Sequence, residues 1–84
     1  MTYRVRFHPT ATKEVSALAT SVQPRVLAAI ETLQTDPFRR GSIQLKGGKL
    51  RRARAGDYRI IYGVDTAELT ITVFRVAHRR EAYR

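Results

Sequence analysis

The chain has no cysteine and no tryptophan, and acidic residues are scarce, with seven Asp and Glu against 16 Lys and Arg in 84 residues. The absence of cysteine excludes disulfides, thiolate metal sites and cysteine nucleophiles. The two histidines, His8 and His78, lie far apart in the sequence, and we expect no metal site. The length excludes a multidomain enzyme, and 43% hydrophobic with 27% charged residues predicts a single globular domain over residues 1–84.

Long hydrophobic runs are also missing. The longest uncharged stretch, Val15–Pro24, has ten residues, about half of what a membrane-spanning helix requires. The N-terminal residues include Arg4, Arg6 and His8 and lack the apolar core of a secretory signal. We therefore expect no membrane association, and the lack of cysteine is consistent with the cytoplasm.

The excess positive charge, +9 in total, is concentrated in two segments. Residues 39–59 hold eight basic residues against Asp57 alone, and residues 75–84 hold four arginines against Glu81. Arginine outnumbers lysine 13 to 3, and guanidinium groups suit bidentate contacts with phosphate or carboxylate. The pattern predicts a polyanionic partner, with nucleic acid first and an acidic protein second. A basic surface that serves only solubility is the alternative.

Hydrophobic periodicity predicts the element order β-α-α-β-β-β, an α+β domain in which an N-terminal helical hairpin packs on a mainly antiparallel sheet. Alternation predicts a first strand at residues 3–7, and apolar spacing predicts helices at residues 10–20 and from Pro24 to the Asp36-Pro37 stop. Residues 38–49 contain three glycines and are predicted to form a loop. The remaining strands are predicted at residues 50–55, 58–64 and 69–76, separated by turns at residues 56–57 and 65–68.

The two-residue Gly56-Asp57 turn predicts the pairing of the central hairpin, with Arg54 opposite Arg59 and Arg52 opposite Ile61. One face would then hold small and aromatic residues that pack on the helices, namely Ala53, Ala55, Tyr58, Ile60 and Tyr62. The other face would collect the three arginines. Like charges in opposite positions destabilise a sheet by up to about 1 kcal/mol, whereas a phosphate chain lying over them would make the interaction favourable. The alternative is that the three arginine side chains extend into solvent, where screening by salt makes their mutual repulsion small.

The C-terminal segment, residues 76–84, carries a second cationic cluster with His78, Arg79, Arg80 and Tyr83. Such residue types can transfer protons and stabilise phosphate charge. A surface histidine and a tyrosine that anchors the chain end by packing explain the same residues without any chemistry.

Three segments resemble the RelE toxins of the RelE/ParE superfamily: LKGG at 45–48, RARAGDYRIIY at 52–62 and VAHRREAYR at 76–84. The element order is also similar, and the resemblance covers essentially the whole chain. It implies the toxin of a type II toxin–antitoxin pair, which enters the ribosomal decoding site and cleaves mRNA by attack of the RNA's own 2′-hydroxyl, with no metal or cofactor. The implied partners are the ribosome, mRNA and a cognate antitoxin that is acidic and partly disordered when free.

The resemblance also implies roles for individual residues. Arg59 would bind the scissile phosphate and stabilise its pentavalent transition state, and Arg79 would assist the leaving 5′-oxygen, with His78 as the competing acid. Tyr83 would be the general base; because the ordinary pKa of tyrosine is about 10, this role requires neighbouring cations. The residues expected to bind RNA are Lys46, Lys49, Arg51, Arg52, Arg54, His78 and Arg80.

Two alternatives remain open at this point. A ParE-type toxin shares the fold but inhibits DNA gyrase and lacks the nuclease residues. A non-catalytic basic module would bind RNA or DNA only. We expect no aromatic stacking platform on the arginine face, since aromatic residues make up only 8% of the chain, and this counts against the binding module.

Overall fold

A computed structural model describes residues 2–80 of the chain. Its elements are β1 (Arg4–Phe7), α1 (Pro9–Ser16), α2 (Gln23–Thr35), β2 (Ile43–Gln44), β3 (Arg51–Ala55), β4 (Tyr58–Asp65) and β5 (Thr70–His78). The strands form one sheet in the order β1-β5-β4-β3-β2, and of the strand pairs in residues 2–80 only β1–β5 is parallel. The α+β fold class, with two helices on a mainly antiparallel sheet, is confirmed. Neither helix, of eight and 13 residues, has the length and hydropathy to cross a bilayer.

The first helix is shorter than predicted. It ends at Ser16 because the carbonyl of Val15 accepts hydrogen bonds from the Leu18 N–H at 3.2 Å and from the Gln23 side-chain amide at 3.0 Å. These contacts replace the next helical hydrogen bond and turn the chain towards α2.

Two strand boundaries also differ from the prediction. The predicted loop at residues 38–49 contains β2, in which Ile43 pairs with Arg52 and Gln44 with Arg51. Two residues are too few to show an alternation, so the sequence offered no signal for this strand. Strand β5 continues to His78, because its last residues pair with the beginning of β4.

The core lies between the helices and one face of the sheet. Tyr62, in the middle of β4, is fully buried, and its hydroxyl donates a 2.6 Å hydrogen bond to the carbonyl of Pro37. This bond attaches the segment after α2 to the sheet. The buried cluster consists of Ala11, Val26, Ile30, Leu33, Ala53, Ile60, Tyr62, Ile71, Val73 and Val76.

The carboxylate of Glu14 accepts a backbone hydrogen bond at the end of β5, where β1 no longer pairs with that strand. Strand β1 pairs with β5 only as far as Phe7 opposite Val73. Beyond that point Glu14 of α1 accepts the Val76 N–H at 2.8 Å and pairs with the guanidinium of Arg75 at 3.0 Å. Helix α1 thus holds the end of β5, which precedes the C-terminal cationic cluster.

We expect Tyr62→Phe to lower the free energy of unfolding by about 1–2 kcal/mol, because the buried Pro37 carbonyl loses its donor. Urea unfolding followed by circular dichroism measures this change. Tyr58→Phe is the matched control, since its ring is only half-buried in the same strand. Equal losses in the two variants would show that the Tyr62–Pro37 bond contributes nothing specific.

Candidate functional site

The predicted register of the central hairpin is confirmed. Ala55 pairs with Tyr58, Arg54 with Arg59 and Arg52 with Ile61 across β3 and β4. The turn between them places Gly56 at φ +61°, a left-handed conformation that glycine adopts without a steric penalty. Because side chains alternate along a strand, Arg52, Arg54 and Arg59 lie on the face of the sheet opposite Ala53 and Ile60. We call this surface the arginine face.

A small cavity lies at the turn end of the arginine face. Its volume is about 70 Å³, and its lining includes Arg54, Asp57, Arg59 and Arg79. The backbone N–H of Arg79 donates a 2.8 Å hydrogen bond to the carbonyl of Asp57, which ties the residue after β5 to the hairpin turn. Three arginines from separate positions in the sequence therefore line one cavity. We call this group of Arg54, Arg59 and Arg79 the arginine cluster.

The three members of the arginine cluster differ in burial. Arg54 and Arg79 are exposed, whereas Arg59 is half-buried and its Nε atom is shielded from solvent. A charge that is partly removed from water interacts more strongly with an anion, since screening is weaker there. The arrangement can bind a phosphate group and stabilise additional negative charge on it.

Arg51 and Arg52 are neighbours in the sequence but lie on opposite faces of the sheet. Arg52 stands on the arginine face, one row from the cluster. Arg51 faces the other way: its guanidinium lies 5.1 Å from the centroid of the Phe38 ring, and its Nη2 donates to the Ser42 hydroxyl at 2.9 Å. The structure therefore separates Arg51, expected to bind RNA, from the arginine face and shows it attaching the α2–β2 segment to β3.

The two loop lysines also lie apart from the cluster's cavity. Lys46 and Lys49 are exposed in the turn between β2 and β3. The turn is closed by hydrogen bonds from Gly48 N–H to the Leu45 carbonyl and from the Gln44 amide to the Gly48 carbonyl. Lys49 borders a separate cavity of about 170 Å³ together with Phe38 and Arg51. Neither lysine lines the cavity at the arginine cluster.

His78 is on the other side of the sheet from Arg59. It pairs with Tyr58, and the two rings are in edge-to-face contact with centroids 5.5 Å apart, whereas Arg59 pairs with Ala77. The Nδ1 atom of His78 accepts the backbone N–H of the exposed Arg80 at 3.3 Å. The structure brings Arg79 to the arginine cluster and places His78 away from it. Tyr83, the expected base, lies outside the described residues.

Arg39 and Arg40 are two further basic residues at the site to which the sequence assigned no role. They line a cavity of about 210 Å³ together with Arg54, on the side towards α2. Hydrogen bonds from the backbone N–H and the hydroxyl of Ser42 to the Arg39 carbonyl form the turn that brings them there. The concentration of basic residues that begins at Arg39 was the sequence feature that could have identified them.

Comparison with known proteins gives consistent matches over nearly all of the chain. A family model described as the ParE toxin of the type II toxin–antitoxin system parDE matches residues 5–83. Toxin RelG of Mycobacterium tuberculosis is 35% identical over 91 aligned positions, which cover 100% of this chain and 99% of RelG.

The solved structures agree with the sequence comparisons. The archaeal RelE–RelB complex from Pyrococcus horikoshii OT3 contains a chain with a TM-score of 0.82 and 35% identity, covering 98% of this chain and 100% of that chain. A chain of the toxin–antitoxin complex RelBE2 from Mycobacterium tuberculosis gives a TM-score of 0.84 at 30% identity, covering 94% of this chain and 100% of that chain. With matches of this extent in both sequence and structure, the chain belongs to the RelE/ParE superfamily and is a RelE-type toxin of a type II toxin–antitoxin system.

Proposed function

We propose that this toxin is a ribosome-dependent mRNA endonuclease that inhibits translation. The observation that carries the proposal is the arginine cluster, in which Arg54, Arg59 and Arg79 surround one cavity. A phosphodiester in that position would be held by several guanidinium groups.

The proposed reaction is attack by the RNA's own 2′-oxygen on the adjacent phosphorus. The 2′-oxygen forms the new bond to phosphorus as the P–O5′ bond breaks, which leaves a 2′,3′-cyclic phosphate. The departing 5′-oxygen takes a proton from water and becomes the 5′-hydroxyl. Tyr83 takes the proton of the 2′-hydroxyl as general base. Arg59 stabilises the extra negative charge of the pentavalent transition state, for which its half-buried position is suited.

Arg79 is the proposed partner of the leaving 5′-oxygen. It lines the same cavity as Arg59 and is held there through its backbone bond to Asp57. His78, the competing acid, is paired with Tyr58 on the opposite face. This placement favours electrostatic stabilisation by Arg79 over proton donation by His78.

The requirement for a ribosome has a physical basis in the open site. The cavity at the arginine cluster is small, about 70 Å³, and its polar groups suit phosphate rather than a particular base. Such a surface holds the RNA backbone but does not orient a chosen nucleotide. We propose that the ribosome presents the mRNA in the reactive geometry, with Arg52 and the loop residues Lys46 and Lys49 adding contacts to RNA. The toxin would then act in the cytoplasm, where ribosomes translate.

The proposed inhibitor is an acidic antitoxin that is partly disordered when free. Several related structures are toxin–antitoxin complexes, including RelE with RelB from Pyrococcus horikoshii OT3. An acidic segment that folds over the arginine cluster would exclude RNA and neutralise its charges in one step.

We expect Arg59→Ala to lower the rate of cleavage of ribosome-bound mRNA by about 10²–10³-fold, because one group that stabilises the transition state is removed. Toeprinting of a programmed ribosome in single-turnover conditions measures the rate. Arg25→Ala, which removes an exposed arginine from α2, should cleave at the unaltered rate. If Arg59→Ala cleaves as fast as this control, Arg59 has no part in the chemistry.

We expect Tyr83→Phe to abolish growth inhibition and cleavage while circular dichroism shows an unchanged fold, because the phenol oxygen is the proposed proton acceptor. An mRNA with a 2′-deoxy nucleotide before the scissile phosphate should resist the wild-type toxin, since its nucleophile is missing. His78→Gln serves as the comparison and should retain cleavage. Full toxicity of Tyr83→Phe, or cleavage of the deoxy substrate, would contradict the mechanism.

Inhibition of DNA gyrase is the second candidate function, because the matching family model is described by a ParE toxin. Purified toxin added in parallel to gyrase with supercoiled DNA and to programmed ribosomes separates the two functions. We expect codon-positioned cuts in mRNA and no gyrase-dependent DNA breaks. The reverse result would replace the nuclease with a gyrase inhibitor.

A further inference from the structure

Strand β5 contains a bulge next to the arginine face. Ile61 of β4 pairs with Arg75 and the next residue, Tyr62, pairs with Val73, so Phe74 is an extra residue in β5. The bulge interrupts the alternation of side chains between the two faces. As a result, Val73 and Val76 both belong to the buried core, although strict alternation would place residues three positions apart on opposite faces. Bulges of this kind redirect side chains and are frequent beside functional sites.

The bulged residue lies against the arginine face. A Cβ atom built on Gly63 would be 3.2 Å from Cε2 of Phe74 and 3.8 Å from Cδ2 of Leu50. Gly63 is on the same side of β4 as Arg59 and Ile61, since side-chain positions alternate. The absence of a side chain at Gly63 therefore makes room for the Phe74 ring on this face, where it is half-buried.

One arginine of β1 lies on the same face as Phe74, and a histidine ring lies close to it. Arg6 of β1 pairs with Thr72, which pairs with Gly63, so Arg6 belongs to the same face. The ring of His8 lies 6.0 Å from the Phe74 ring, measured between centroids. The face that carries Arg59 and Arg6 thus also carries one aromatic ring, that of Phe74, which the sequence did not indicate. A strict alternation of side chains along β5 does not reveal the bulge that brings Phe74 to this face.

From this geometry we infer that Phe74 stacks with a nucleobase of the RNA strand whose phosphate is bound at Arg59; the inference rests on the proposed function. Gly63 is four residues from Arg59 along β4, which corresponds to about 13 Å at the usual rise of a strand. An RNA strand spans this distance within a few nucleotides. A flat ring accepts any base by stacking, and arginines on the same face, such as Arg59 and Arg6, can pair with the phosphates of the same strand. Phe74 is therefore an RNA-positioning residue and not a catalytic one.

The test uses programmed ribosomes with 2-aminopurine placed in turn at each position around the cut. A 2′-O-methyl group at the cleavage site prevents reaction, so that stacking is read as quenching of the 2-aminopurine fluorescence. We expect the wild-type toxin to quench the fluorescence of 2-aminopurine at one position of the mRNA. Phe74→Leu should lose this quenching, and Phe74→Trp should keep it. Cleavage of the unmodified mRNA by Phe74→Leu should fall roughly tenfold in kcat/KM.

Two further variants separate stacking from a loss of structure. Phe7→Leu removes an aromatic ring that is 38% exposed on β1 and should change neither quenching nor cleavage. Gly63→Ala would displace the Phe74 ring by a few tenths of an ångström, since a contact of 3.2 Å is too close, and should weaken the quenching partially. Circular dichroism and thermal unfolding confirm that each variant is folded.

The remaining outcomes overturn the inference in distinguishable ways. If the wild-type toxin cleaves mRNA but quenches 2-aminopurine fluorescence at no position, the stacking role of Phe74 is wrong and the proposed nuclease activity is unaffected. The same conclusion follows if Phe74→Leu quenches the fluorescence as strongly as the wild type. If Phe74→Leu cleaves normally but escapes the antitoxin, the ring belongs to a protein interface. If the wild-type toxin neither binds nor cuts on ribosomes, the proposed function itself fails.

Discussion

The central constraint on this structure is that two like charges are held opposite each other in one row of the sheet. Arg54 stands directly opposite Arg59, and the backbone of Arg79 is bonded to the turn that joins their strands. The cross-strand repulsion costs up to about 1 kcal/mol. Burial of a single side chain such as Ile60, on the opposite face of the same strand, contributes about 1.5–3 kcal/mol. Burial of core side chains therefore outweighs the repulsion between the two arginines.

The segments around the sheet are attached by a few specific polar contacts. Tyr62 donates to the Pro37 carbonyl, Arg51 binds Ser42, and Glu14 pairs with Arg75 and accepts the Val76 N–H. Each contact ties a helix or loop to a strand and leaves the arginine face open. A small chain can thus present a shaped, charged surface, while the proposed positioning of the substrate comes from the ribosome.

The central hairpin was predictable because its causes are local. A two-residue turn between alternating strands determines that Arg54 meets Arg59 and that Arg52 and Arg51 lie on opposite faces. The contacts of Arg51 with Phe38 and Ser42 were not predictable, since those residues arrive through the fold of the preceding segment. Strand β2 was missed for a similar reason: two residues become a strand only when a partner is already in place.

The sequence by itself determined the two helices, the main strands, the excess of arginine and the row in which Arg54 and Arg59 meet. Only the tertiary structure decided that Arg79 lines the cavity beside this row while His78 faces Tyr58, and that Phe74 reaches the arginine face. Alternation and turn chemistry act between neighbouring residues and can be seen in the sequence. The bulge in β5 and the approach of Arg79 to Asp57 depend on how distant strands pack and pair, and a local pattern carries no information about them.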